Sequence, residues 1–103
     1  MSIDPAWQQR RAFEEKLDQL ERENAIGAGD REALVARFDA MQRELADELA
    51  LVVKPEYERR CREDGDEAAR AWLAEAGRDL GQRAGTQTRA MILEMMERAR
   101  DAA

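Results

Sequence analysis

The densest run of acids, Glu63-Asp64-Gly65-Asp66-Glu67, has the residue type that a hard cation needs: several carboxylate oxygens around a glycine turn. It lacks the spaced acids and the distal glutamate of a helix–loop–helix calcium site. It reads instead as a polar turn that stops one helix and opens the next. Glu94 and Glu97 at i,i+3, and Glu44 and Glu48 at i,i+4, place carboxylate pairs on helix faces. Di-iron bundles use such pairs with a histidine after each bridging glutamate, and this chain has no histidine. Cys61 stands between Arg60 and Arg62, where cations favour the thiolate. No second cysteine or imidazole accompanies it, so it reads as a partly buried small residue. Glu56, Glu58, Glu63 and Asp64 surround Arg59-Arg60-Cys61-Arg62, which points to local salt pairing over phosphate binding. The expectation is a chain that is not an enzyme and has no catalytic, cofactor-binding or metal-ligating residues.

Binding is the chemistry that remains. Met91, Met95 and Met96 stand beside Ile92 and Leu93, and flexible methionine faces suit adaptable partners. Met91 and Met95 share one helical stripe, while Leu93 and Met96 point away from it, so this helix is apolar on more than one side. Trp7 lies beside the expected seam of the first helix, as an interface anchor would. These four residues, Trp7, Met91, Met95 and Met96, form the expected partner-binding set. The competing reading is that they pack inside one molecule. A charged residue at Trp7 or Met95 separates the two, abolishing binding in one case and folding in the other.

The elements that hold these residues follow from apolar spacing. Ile3, Ala6, Arg10, Phe13, Leu17, Leu20 and Asn24 recur at alternating intervals of three and four. After Gly27-Ala28-Gly29-Asp30 the pattern resumes with Leu34, Phe38, Met41, Leu45, Leu49 (or Glu48) and Val52. That period predicts two striped helices joined by a glycine turn, with coiled-coil character. The first is expected to run from an Asp4 cap and Pro5 to about Ala25, with Gly27 ending it. The second is expected to run from an Asp30 cap to Val53, where Pro55 biases Lys54 away from helix. Asn24, at a seam position, is read as a register-fixing residue or a helix end. Acid-first pairs Asp18–Arg22 and Asp39–Arg43 are expected on the surface.

Residues 55–64 read as a short helix ended by Gly65. Asp66 then starts a stripe of Ala69, Trp72, Leu73, Ala76, Leu80 and Ala84, and Thr88, Met91, Ile92, Met95 and Ala99 continue it. Gly77, Gly81 and Gly85 each cost about 1 kcal/mol relative to alanine inside a helix. They predict either a close backbone contact or, as the preferred reading, a kink or break near 81–86. No alternating β-branched run is present, so no strand is expected.

Charged residues make up 39% of the 103, yet the net charge is only -6. The acid surplus is spread along the chain, so no basic stripe is available to neutralise phosphates and no direct nucleic-acid contact is expected. A lone cysteine fits a reducing compartment, and no apolar run reaches the roughly 20 residues of a membrane span. The chain is therefore read as cytoplasmic, acidic and off the membrane. The expected fold is all-α, one domain over residues 1–103. It comprises an antiparallel helical hairpin at 1–54 and two to three further helices at 55–103, a small bundle completed by homodimerisation. The expected function is a small non-catalytic interaction protein: an adaptor, a chaperone-like binder or an inhibitor of a larger partner. The alternative is a regulator acting near nucleic acid, through an acidic surface or by docking on transcription or defence machinery.

Overall fold

The computed structural model describes residues 5–102, with side chains from residue 8 onward. The chain is all-α: α1 (Pro5–Arg22), α2 (Asp30–Glu48), a π-helical turn (Leu49–Val53), α3 (Lys54–Asp64) and α4 (Asp66–Ala102). No strand occurs among the described residues. None of these helices is long and apolar enough to cross a membrane. The contacts group into two compact units, Met1–Arg37 with Met91–Ala103, and Phe38–Ala90. By these ranges α2 and α4 each lend a stretch to both.

In the first unit, Phe13, Leu17, Leu20, Ile26, Leu34, Met91 and Met95 are buried. α1 ends at Arg22, three residues before the expected limit. Asn24 takes the left-handed conformation, with φ 56°, and the backbone closes in a Schellman pattern. Ala25 N–H donates to the Leu20 carbonyl and Asn24 N–H to the Glu21 carbonyl, the two bonds that satisfy the last free carbonyls of a helix. Asn24 therefore ends the helix in place of Gly27, and as an exposed residue it fixes no register. Asp30 also departs from expectation. It is the first residue of α2, and its carboxylate reaches back to accept from Gly27 N–H at 2.6 Å. Gly29, at φ 86°, occupies the cap. Arg31 then bonds Asp18 and Glu21, so Asp18 pairs across the turn and not with Arg22.

In the second unit, Phe38, Met41, Val53 and Ala69 are buried. Arg83 reaches both carboxylate oxygens of Glu48, at 2.9 and 3.0 Å, and ties the end of α2 to α4. Gly65, at φ 89°, separates α3 from α4, and Asp66 and Glu67 fill the first turn of α4, where acids favour the helix dipole.

The expected kink near 81–86 is absent, and α4 runs unbroken for 37 residues, about 55 Å at 1.5 Å per residue. The close backbone contact is absent too. A Cβ built on Gly77 or Gly81 meets nothing within 4 Å. The stripe from Ala69 to Ala99 is buried or half-buried throughout, and its continuous burial outweighs the local propensity cost. Neither glycine is required by its surroundings, so Gly77→Ala and Gly81→Ala are expected to stabilise the protein by about 0.5–1 kcal/mol each. Urea denaturation followed by far-UV circular dichroism measures this. A loss of stability in both variants would mean that something packs on that face.

Candidate functional site: an exposed apolar turn

The site begins with Pro55. Proline has no N–H, and in a regular helix its ring collides with the carbonyl four residues back, here that of Leu51. The sequence predicts that the helix stops before it. The chain instead widens, and Lys54 N–H donates to the Leu49 carbonyl five residues back. Lys54 stays helical at φ -61°, ψ -49°, and Pro55 sits in the first turn of α3, where its missing N–H costs little.

A π turn carries one more residue than the α turn it replaces, so every later side chain is shifted in phase. The expected seam runs Leu45, Leu49, Val52. In the structure Leu45 is half-buried, Val53 is buried at 6% exposure, and Leu49 and Val52 are 50% and 59% exposed. Leu51 is 75% exposed. The five residues Leu49-Ala50-Leu51-Val52-Val53 are all apolar, and one large side chain points inward. Exposing three large aliphatic side chains in one turn leaves several kcal/mol of burial unrealised, at about 1.5–3 kcal/mol for each fully covered side chain.

Paired side chains follow the turn on α3. Glu56 accepts from Arg59 and from Arg60, the latter at 2.9 Å, and Arg59 also bonds Glu63. The Arg60 guanidinium lies over the Trp72 ring, 4.8 Å from its centre, joining α3 to α4 by a cation–π contact. Hydrogen bonding from Arg59, and then from Arg60, holds the Glu56 carboxyl down at about 2, well below its ordinary 4.5. The same bond to Glu56 raises the Arg59 guanidinium. Cys61 is half-buried, as expected. The neighbouring Cys61 thiol raises the Tyr57 pKa, and Arg70 opposes that rise.

The sequence-derived partner set fares differently. Met91 and Met95 are core side chains at 7% and 5% exposure, the placement of the competing core reading. The stripe that joins them is the inward face of α4. Trp7's side chain lies outside the described residues. Met96 is half-buried and, with Leu93, Asn24, Ala25, Glu97 and Arg100, lines an open cleft of about 410 Å³ in the first unit. Leu93 is 57% exposed. The spacing rule that puts Leu49 (or Glu48) and Val52 on the seam does not reveal the exposed turn. The signal that could have located it is a five-residue apolar run directly before a proline.

Among the described residues no group of histidine, cysteine, aspartate or glutamate side chains is arranged to hold a metal ion. Glu94 bonds Arg37 and Arg98, and Glu48 bonds Arg83. No family model matches the chain, and no curated protein or solved structure matches it.

The lowered carboxyl of Glu56 fixes a sign. Its folded value is below its unfolded one, so its contribution is complete above about pH 4.5 and is lost as pH falls towards 2. Wild type is expected to be more stable than Glu56→Gln near neutrality, with the gap closing between pH 4.5 and 2. Thermal melts of both proteins across that range test this. A gap that stays constant with pH would show that the Arg59 and Arg60 bonds do not favour the ionised form.

Proposed function

We propose that this chain is a small, non-catalytic protein–protein interaction module that acts as an adaptor, chaperone-like binder or inhibitor of a larger partner, and that it self-associates. The observation that carries this reading is the exposed Leu49, Leu51 and Val52 on a turn braced by Arg83–Glu48 and the Glu56–Arg59–Arg60 network. Apolar side chains carried on helical backbone lose little backbone entropy when a partner covers them. The finer architecture belongs to the same proposal: residues 1–54 act as an antiparallel helical hairpin in one domain, and a second copy completes the bundle. The Arg31 bonds to Asp18 and Glu21 support the hairpin turn. The acidic-surface alternative draws less support, since Glu48, Glu56, Glu63 and Glu94 are each engaged by arginine and present no uninterrupted acidic face.

Leu51→Asp is expected to abolish capture of any partner, whether foreign protein or untagged copies of the chain, while helicity and melting temperature stay near wild type. Affinity capture with tagged wild-type and variant protein, followed by mass spectrometry and circular dichroism, measures both. Undiminished capture by a folded variant would remove the turn from the binding surface.

A further inference from the structure

The charges around the exposed turn are ordered in a way that specifies one occupant. Arg43 and Asp47 precede it, and Lys54 and Glu58 follow it. All four are exposed, and none of them makes an ion pair among the described residues. Their neighbours Glu48, Glu56, Arg59 and Arg60 are all paired. Arg43 with Asp47 and Lys54 with Glu58 are spaced at i,i+4, but the base comes first, which is the weaker order for pairing within one helix.

We infer that this turn is the centre of an isologous, antiparallel contact with a second copy of the chain, with the two-fold axis passing between Ala50 and Leu51. An isologous interface requires that residue i meet j while j meets i. An axis at that point sets Leu51 opposite Ala50 of the partner subunit, Asp47 opposite Lys54 of the partner subunit, and Arg43 opposite Glu58 of the partner subunit, all from the one helical face that the i,i+4 rows 43–47–51 and 50–54–58 form. Each meeting occurs twice. Both charge meetings join opposite signs, and the apolar residues meet each other in the middle. A shift of the axis by a full turn in either direction loses this match and sets charges against the apolar run. The occupant with complementary chemistry at every one of these positions is the chain itself. Flanking charges of this kind set register and orientation more than raw affinity, while the apolar centre supplies the driving force. The inference rests on the self-associating reading proposed above and specifies its geometry.

Charge reversal tests it. Asp47→Lys sets lysine against lysine, and Lys54→Asp sets aspartate against aspartate, twice in each homodimer. Each single variant is expected to remain helical and to dissociate at least about tenfold more readily than wild type in sedimentation equilibrium. Mixed together, the two variants complement each other at both meetings, so the mixture is expected to regain wild-type association as a heterodimer. The double variant in one chain is expected to recover as well. Rising salt should weaken the wild-type dimer and narrow these differences. Two singles that associate like wild type, or a mixture that fails to recover, would overturn this pairing. So would a wild-type chain that stays monomeric at all concentrations. In that last case the interaction reading stands or falls separately, on whether Leu51→Asp still loses a foreign partner.

Discussion

The backbone nitrogen of Pro55 has no hydrogen, and the arrangement of the second compact unit depends on how the chain accommodates that absence. The helix could end, leaving carbonyls to find water, or widen by one residue and continue. It widens, and the bond from Lys54 N–H to the Leu49 carbonyl is the result. That choice rotates every side chain beyond the turn. Val53 turns inward, and Leu49, Leu51 and Val52 are left outside. The same rotation sets α3 so that Arg60 reaches the face of Trp72 and Tyr57 faces Arg70. A local problem of one missing donor thus decides which side chains become core and which become surface.

Much of the fold was legible because period-3.6 burial is a strong and redundant signal. Phe13, Leu17, Leu20, Leu34, Phe38 and Met41 all lie where their spacing puts them, and the stripe of α4 holds from Ala69 to Ala99. Single-residue rules were weaker guides wherever they opposed that stripe. Three glycines argued for a break, at about 1 kcal/mol each. Each inward apolar side chain of α4 opposes them with a comparable or larger gain, and the helix stays whole. Pro55 argued for an end and produced a wider turn. The glycine at 27 argued for a helix stop, but Asn24 reached the left-handed conformation first, one of the few non-glycine residues that does so at modest cost.

The candidate site was less legible for a connected reason. Surface and core are separated by the phase of the helix, and a π turn changes that phase, marked in the sequence only by the apolar run before Pro55. Leu49 and Val52 have the right spacing for a seam built on 3.6 residues per turn, and the wrong spacing once a residue is inserted. The methionines show the opposite tension. Met91 and Met95 have the composition of an adaptable surface, but their separation of four places both on the inward stripe of α4. Composition proposes a binding face, and position relative to the stripe decides whether it is available. Leu93 is exposed and Met96 half-exposed because they fall off that stripe.

Retention of unpaired charges beside an exposed apolar turn carries its own physical argument. An exposed arginine or carboxylate is fully solvated and loses little by lacking a partner, so isolated examples say nothing. Here the pattern runs basic, acidic, apolar, basic, acidic along one continuous stretch of helix from Arg43 to Glu58. Within the chain the base-first order makes both i,i+4 pairings poor ones. Turned end for end, the same stretch becomes its own complement. In the proposed contact, a surface that buries Leu51 against an identical copy gains orientation from such an order, because the parallel alignment of the two stretches sets like against like at all four charged positions. In that proposed contact the charges would thereby restrict an otherwise undirected hydrophobic association to one antiparallel register.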